Sequence, residues 1–146
     1  MAAFHIQAGQ EVSFAKTIGE TDIYLFAGIT GDFSPNHVNE QVMSGSRYGR
    51  RIAHGALLVG YMSTASTRAI ETFASAVSEE TAVSLGYDRI RFLRAVGIGD
   101  TVTVRYKIRD VDPERRRSRA DISVTDQDGA LVAVAEHILK WVPNRP

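Results

Sequence analysis

The sequence predicts an α+β fold in which a curved antiparallel sheet wraps around one long central helix. Two observations carry this prediction: a long helix candidate with almost no polar face in its first half runs from His54 to about Glu71, and several segments with two-residue alternation follow it. A run of antiparallel strands segregated from a buried helix is typical of this class. The 146 residues fit one domain, over 1–146, with a core of its own.

The segment before the long helix predicts one strand and one helix. Val12 and Phe14 alternate with polar residues, which indicates a short strand. Thr21 and Asp22 offer a cap and a first-turn acid, and Gly31 offers a C-terminal stop. The predicted helix has an apolar stripe, formed by Ile23, Phe26 and Ala27.

A break and a short helix are expected next. Pro35 should force a non-helical segment, because the residue before a proline avoids the α region. Asn39 is a candidate cap for a short helix that extends through Met43. Residues 45–51 are then predicted to form a loop.

The long helix and the second half of the chain supply the core. The first half of the helix lacks a polar face, so we expect it to be buried. Residues 83–87 and 90–92 alternate in opposite phases, which predicts a bulge near Asp88. Residues 102–108 and 122–124 predict further strands. A hairpin turn at 126–129 precedes a long apolar strand, expected to be central, from Leu131 to Trp141.

Composition excludes several classes of function. A net charge of zero argues against nucleic acid as the main partner. The absence of cysteine excludes disulfides, thiolate metal sites and a cysteine nucleophile. The longest apolar run, Ala56 to Met62, is too short to span a bilayer, and the N-terminal residues lack a signal-peptide pattern. We therefore expect a cytoplasmic protein that does not enter a membrane.

Asp32 and His37 are the first candidates for chemistry. They lie five residues apart with Pro35 between them, which favours a rigid loop over a shared helical face. A carboxylate that hydrogen-bonds an imidazole fixes its tautomer and raises its basicity, so the pair could deprotonate a water. The alternative is a turn aspartate beside a solvated histidine.

Residues around the start of the long helix are further candidates. Gly55 would place an unpaired amide in the first turn, where an anionic oxygen is stabilised, or it serves only tight helix–sheet packing. His54 either orients the loop, caps the helix or contacts substrate. Ser34 hydrogen-bonds a water or substrate, or it satisfies the turn backbone. No histidine pair has metal-ligand spacing, and His137 is expected to be a satisfied core or interface residue.

An arginine cluster lies between the two candidate regions. Arg47, Arg50 and Arg51 have the geometry to meet the phosphates of coenzyme A or of a phosphopantetheine carrier. The alternative is a solvated loop.

Three separated motifs resemble the MaoC-like, or (R)-specific enoyl-CoA hydratase, family. Residues 26–37 read FAGITGDFSPNH, close to the family pattern Gly-Asp-x-Asn-Pro-x-His. Residues 51–57 read RIAHGAL, and residues 90–102 contain IRFLRAV and GDTV, both similar to family segments in the same order. This chain departs from the pattern with Ser34 in place of asparagine and with a polar residue at Asn36, which puts the acyl substrate in doubt.

The resemblance implies a hot-dog fold, a homodimer or higher homo-oligomer, and reversible hydration of a trans-2-enoyl thioester to an (R)-3-hydroxyacyl thioester. It implies that Asp32 and His37 activate the water and that the Gly55 amide polarises the thioester carbonyl. The expected substrate is an acyl-CoA or acyl-carrier thioester. No metal or redox cofactor is expected, and coenzyme A is part of the substrate.

Two other functions fit the same fold. A hot-dog acyl-CoA thioesterase would direct water to the carbonyl carbon and release a free thiol. A non-catalytic acyl-binding subunit would bind the thioester and convert nothing. Fold alone does not decide between them.

Overall fold

The computed structural model describes residues 4–74 and 79–145. Both ends of the predicted 1–146 domain lie outside this part, and so do the first three of the N-terminal residues that lack a signal-peptide pattern. None of the helices within it is long and apolar enough to cross a bilayer. The elements, in chain order, are β1 Glu11–Thr17, α1 Glu20–Thr30, α2 Pro35–Val38, α3 Glu40–Ser44, α4 Gly55–Phe73, β2 Glu80–Phe92, β3 Thr101–Asp112, β4 Arg117–Thr125 and β5 Leu131–Pro143.

The strands form one antiparallel sheet in the order β1-β3-β4-β5-β2. The long apolar strand β5 lies inside the sheet, as predicted, although β4 occupies the central position. Helix α4 packs its buried face against the sheet, with which it shares one apolar core. The predicted α+β arrangement of a sheet around a long helix is therefore confirmed.

Helix α4 is less completely enclosed than its composition predicted. Leu58, Met62 and Ala65 are buried in the core, which removes apolar surface from water at roughly 25 cal/mol per Å². Ala56 and Gly60, on another side of the helix, are exposed. The expectation of a helix buried all round is thus wrong for the isolated chain, because one apolar side has no cover.

Helix α1 confirms the predicted apolar stripe but not the predicted cap. Ile23 and Ala27 are fully buried. The N-cap is Gly19 rather than Thr21, and the Asp22 carboxylate accepts a hydrogen bond from the Gly19 N–H at 2.8 Å. At the other end Gly31 adopts φ 82°, the left-handed conformation that ends helices.

The predicted break at Pro35 is confined to the residue before it. Ser34 is non-helical, with φ −56° and ψ 137°, whereas Pro35 itself is the first residue of the one-turn helix α2. Proline is tolerated at this position because the first amide of a helix needs no intrahelical partner. Asn39 caps α3 as predicted, since its side-chain oxygen accepts from the Val42 N–H at 3.0 Å.

Strand β2 contains the predicted bulge. Asp88 pairs with Glu136 and Arg91 with Val134, so β2 carries one extra residue in this interval, and Arg89 adopts a left-handed φ of 53°. A second register shift, between Ser84 and Gly86, was not predicted. The bulges set the direction in which the last residues of β2 project.

His137 is a satisfied core residue, as predicted. Its side chain is fully buried on β5, with Ser84 Oγ 2.8 Å from Nε2 and Tyr106 Oη 2.9 Å from Nδ1. The Tyr87 ring stacks on it with a centroid distance of 4.2 Å. Burial lowers the pKa of His137 to about 4, because a charged imidazole loses its hydration there.

The low pKa of His137 predicts a pH-dependent stability. Because the folded-state pKa of about 4 lies below the ordinary value of 6.5, the unfolded chain binds the proton first as the pH falls. The contribution is complete above about pH 6.5 and is lost towards pH 4, by roughly 3 kcal/mol. Urea unfolding at several pH values should show this loss in the native protein and a smaller one in His137→Gln. His5→Gln, at an exposed histidine, is the matched control; an unchanged slope in His137→Gln would contradict the assignment.

Candidate active site

The loop between α1 and α2 holds Asp32 by its own backbone. The Asp32 Oδ1 atom accepts a hydrogen bond from the Ser34 N–H at 3.2 Å. The Ser34 hydroxyl donates to Asn36 Oδ1. Helix α2 then begins at Pro35 and brings the His37 side chain into the protein. The loop is thus held by hydrogen bonds within it, and it leaves the Asp32 carboxylate half-exposed while His37 is only 8% exposed.

The tautomer of His37 is set by a backbone carbonyl. Its Nδ1 lies 2.7 Å from the carbonyl oxygen of Ile52, and a carbonyl only accepts hydrogen bonds, so Nδ1 carries the proton. The neutral ring then presents an unprotonated Nε2, the form required of a general base. The prediction that the Asp32 carboxylate fixes this tautomer is wrong, because the Ile52 carbonyl already occupies the nitrogen that must carry the proton.

His54 orients the loop, one of the roles proposed for it. Its ring is 2% exposed and lies against Phe26 and His37, with centroid distances of 4.7 and 3.7 Å. Its Nε2 donates to the backbone carbonyl oxygen of Asp32 at 2.9 Å. It is the N-cap residue of α4 but makes no side-chain capping bond, and its Nδ1 is buried without a hydrogen-bond partner. The capping role is therefore wrong.

Asp32, His37 and His54 converge, with one nitrogen or oxygen of each within 4.8 Å of the others. Two groups that bind one water at about 2.8 Å each lie less than about 5.6 Å apart, so the spacing fits a shared water. A water has two O–H groups to donate, and the Asp32 carboxylate and His37 Nε2 are two acceptors. The structure thus brings the predicted pair together, although not in a direct mutual hydrogen bond.

The same cluster has the residue types of a metal site, which sequence spacing had not indicated. His37 and His54 are seventeen residues apart, and the fold brings them together. However, each histidine already donates one nitrogen to a carbonyl, and the two rings stack face to face at 27°. The lone pair of a ring nitrogen lies in the plane of its ring, so the lone pairs of two stacked rings point in planes that do not converge on one ion. The three residues therefore suit the binding of a water better than the binding of a tetrahedral metal ion.

Gly55 is the first residue of α4, where an amide has no intrahelical partner. A Cβ placed on Gly55 would lie 2.7 to 2.9 Å from three ring carbons of Phe92, closer than real contacts allow. Both interpretations of this glycine are therefore consistent with the geometry: its amide lies at the N-terminus of α4, and its lack of a side chain permits close packing with Phe92.

The arginine cluster separates into residues with and without ion pairs. Arg51 donates to Glu20 at 2.7 Å and to Glu40 at 2.9 Å, and these carboxylates raise its pKa. Arg50 pairs with Asp100 at 2.5 Å. Within residues 4–74 and 79–145, Arg47 has no carboxylate at ion-pair distance, and its guanidinium lies 5.6 Å from the centroid of the Tyr48 ring. Of the three, Arg47 has the charge most available to a ligand.

Two contributors to the site were missed by sequence reasoning. Ile52 acts through its backbone carbonyl, and no side-chain pattern signals such a role. Phe92 reaches Gly55 from the far end of β2, and its only signal was the change of phase that predicted the bulge.

A cavity of about 520 Å³ on the sheet shares no residue with this site. It is lined by charged residues that include Arg89, Arg105, Asp121 and Glu136. Arg89 pairs with Glu136 at 2.7 Å. These charges compensate one another across neighbouring strands, as on a solvated sheet face, so we assign the cavity no role in catalysis.

Comparison with known proteins decides the family. The model of the MaoC like domain matches residues 4–131. The chain belongs to the MaoC-like domain family. An (R)-specific enoyl-CoA hydratase of Rhodospirillum rubrum is 39% identical over 76% of this chain and 72% of its own. A 3-hydroxybutyryl-CoA dehydratase of Methylorubrum extorquens is 31% identical over 96% of this chain and 83% of its own.

The MaoC-like chain also has a close structural neighbour. The solved structure of an (R)-hydratase from A. caviae involved in PHA biosynthesis superposes with a TM-score of 0.83, covering 94% of this chain and 98% of that chain. Their sequence identity is 23%, so this likeness bears on the fold alone. The predicted hot-dog fold is confirmed.

Proposed function

We propose that this protein catalyses the reversible addition of water to a trans-2-enoyl thioester, which gives an (R)-3-hydroxyacyl thioester. The observation that carries the proposal is the convergence of Asp32 and His37 beside the first turn of α4, where the Ile52 carbonyl accepts from His37 Nδ1 and leaves Nε2 as the acceptor of the neutral ring. The chain is a hydro-lyase, as its named relatives are. The names of those relatives, an (R)-specific enoyl-CoA hydratase and a 3-hydroxybutyryl-CoA dehydratase, support the substrate class.

The water step uses the two acceptors of the site. In the proposed complex, one O–H of the water donates to the Asp32 carboxylate and the other to His37 Nε2. A lone pair of the water oxygen then forms the bond to the β carbon, while His37 takes the proton that leaves. The Ile52 carbonyl favours this transfer, since it accepts from Nδ1 and stabilises the imidazolium. Transfer of that proton from His37 Nε2 to the α carbon then completes the addition and returns the imidazole to its neutral form.

The Gly55 amide supplies the complementary part of the reaction. Attack at the β carbon moves an electron pair through the double bond onto the thioester carbonyl oxygen, which becomes an enolate. The N–H of Gly55 and the positive end of α4 stabilise that charge. The proposed chemistry uses side chains, an amide and water, so we propose no metal or redox cofactor, with coenzyme A entering only as part of the substrate.

The predicted substrate-binding residues take different roles in this proposal. Arg47 is proposed to meet the phosphates of the thioester's handle, because its charge is not paired with a carboxylate in the described residues. Arg51 is proposed to hold α1 and α3 to the loop through Glu20 and Glu40. Ser34 and His54 are proposed to support Asp32 instead of touching the acyl group. Coenzyme A and a carrier protein remain alternative handles, and the cytoplasm stays the predicted compartment.

We further propose a homodimer or higher homo-oligomer. Strand β2 lies at one end of the sheet, where one of its edges pairs with no strand of the described residues. The exposed side of α4 at Ala56 and Gly60 is apolar, and so is the exposed face of α1 at Leu25 and Ile29. An open strand edge beside exposed apolar surface favours pairing with a second copy.

Asp32→Asn and His37→Gln should each lower kcat/KM for crotonyl-CoA hydration by about 10²–10⁴, because the first removes the negative charge that the water's O–H meets and the second removes the basic nitrogen. The double variant should be little worse than the worse single variant, since both residues act on one water. The measurement is loss of enoyl absorbance together with an assay for free thiol. Asp128→Asn and His5→Gln, at exposed sites, are matched controls.

Other results of that experiment identify the rival functions. Thiol release without prior loss of the enoyl group would indicate a thioesterase. Binding of crotonyl-CoA without conversion would indicate an acyl-binding subunit. Hydration at the native rate in both single variants would overturn the proposed mechanism.

Substitutions of Arg47 and Arg51 should affect different properties, namely substrate binding and protein stability. Arg47→Met should raise KM for crotonyl-CoA roughly fivefold, the effect of an ion pair of about 1 kcal/mol, and should leave KM for crotonyl-pantetheine unchanged. Arg51→Met should instead lower the free energy of unfolding by about 1–2 kcal/mol, because it breaks two charge-assisted hydrogen bonds whose carboxylates are partly exposed. Equal effects of Arg47→Met on both substrates would remove the phosphate role.

The proposed oligomer predicts twice the mass of one chain, or a higher multiple, in analytical ultracentrifugation. Gly60→Arg should reduce it to single chains, because Gly60 has open space around it in one chain and would present a charge to the second copy. Asp128→Arg, in the exposed β4–β5 turn, is the control and should leave the mass unchanged. A native protein of single-chain mass would contradict the proposal.

A further inference from the structure

We propose that Phe92 is a specificity-determining residue that excludes acyl groups with a substituent on the α carbon. This inference rests on the proposed function, since it assumes that the thioester carbonyl binds at the Gly55 amide. It concerns which enoyl thioesters the site accepts.

The Phe92 ring lies directly against the first residue of α4. The ring atoms Cε2, Cδ2 and Cζ are 2.7, 2.8 and 2.9 Å from the point where a Cβ of Gly55 would stand. A ring this close fills the space that a side chain at residue 55 would occupy. The residue that presents the proposed oxyanion donor therefore has an aromatic wall beside it.

The backbone that carries this ring is held by β5 before and after Phe92. After the bulge between Asp88 and Arg91, regular strand pairing resumes: Arg91 pairs with Val134, and Phe92 pairs with Ala133. The next amide, of Leu93, donates to the Val132 carbonyl at 2.7 Å. The ring can leave Gly55 by side-chain rotation, but the strand end that carries it is held in place.

Core packing alone does not account for the ring. Its residue is 52% exposed, whereas the residues that join α4 to the sheet are buried. An aromatic side chain that is half-exposed adds less to the core than a buried one, because the apolar area removed from water is smaller. The ring adjoins Gly55, where the proposed substrate's carbonyl group would lie.

The position of the ring decides which part of the substrate it would meet. The α carbon is bonded to the carbonyl carbon, so it lies next to any oxygen that accepts from the Gly55 N–H. A linear 2-enoyl group carries only hydrogen at this carbon. An α-methyl group needs additional space beside Gly55, and the edge of the Phe92 ring occupies that space.

The test compares crotonyl-CoA with 2-methylcrotonyl-CoA in the native protein and in Phe92→Ala. The ratio of kcat/KM for the methylated to the linear substrate should rise at least tenfold, in the range by which one methyl group discriminates in a pocket. Leu93→Ala is the matched control, because Leu93 is the next residue and is 55% exposed. It should leave the ratio unchanged.

A second variant pair tests the contact itself. Gly55→Ala keeps the backbone amide but places its methyl group in the ring, so it should lower both the melting temperature and crotonyl-CoA hydration. Adding Phe92→Ala should restore much of both, because it removes the atoms that the new methyl meets. A double variant no better than Gly55→Ala would show that the ring is not the obstacle and would overturn the inference.

The outcomes separate this inference from the proposed function. Hydration of crotonyl-CoA by the native protein, with the same substrate ratio in Phe92→Ala, overturns the role of Phe92 and leaves the hydratase intact. Absence of hydration with either substrate in the native protein overturns both. A raised ratio in both Phe92→Ala and Leu93→Ala would indicate a general loosening of the strand end, and it would also overturn the specific role.

Discussion

The site depends on one hydrogen bond, from His54 Nε2 to the backbone carbonyl oxygen of Asp32. It joins the loop that carries the proposed base pair to the residue immediately before α4. The same imidazole stacks on His37 at 3.7 Å, so a single buried ring contacts both members of that pair. The backbone of His54 leads directly into Gly55. The water position and the proposed oxyanion donor are therefore placed relative to one another by one side chain, without a direct bond between Asp32 and His37.

Backbone carbonyls, rather than carboxylates, fix the protonation pattern of the two histidines. Ile52 accepts from His37 Nδ1, and Asp32 accepts from His54 Nε2 through its main chain. This arrangement leaves the Asp32 carboxylate available to a ligand, because the hydrogen bond that it accepts from the Ser34 N–H, at 3.2 Å, occupies Oδ1. Had the carboxylate been needed to orient His37, it would have had less capacity to accept from a water. Orientation thus comes from the main-chain carbonyls of Ile52 and Asp32, whereas the proposed binding of water uses the Asp32 carboxylate.

Sequence patterns predicted the elements better than the contacts between them. Alternation and apolar runs located every strand, and the phase change near Asp88 located a bulge, because these signals are local. The convergence of Asp32, His37 and Gly55 came from resemblance and was placed geometrically by the fold. The role of Ile52 could not be predicted, since a backbone carbonyl leaves no trace in side-chain chemistry. The solvent exposure of one side of α4 was also not predicted, because an apolar pattern does not show whether the surface that buries it belongs to the same chain.

The two departures of this chain from the family pattern are coupled in space. Ser34 stands where the family usually has asparagine, and Asn36 stands where an aliphatic residue is common; here the Ser34 hydroxyl donates to the Asn36 side chain. The shorter residue and the polar residue therefore satisfy one another within the turn. The Ser34 amide still holds the Asp32 carboxylate. The exchange is therefore contained in the loop, and we propose that differences in acyl preference arise from residues that touch the substrate. The ring of Phe92 against Gly55 is the group that we propose for this role, and its strand carries a β-bulge that is remote from the loop in sequence.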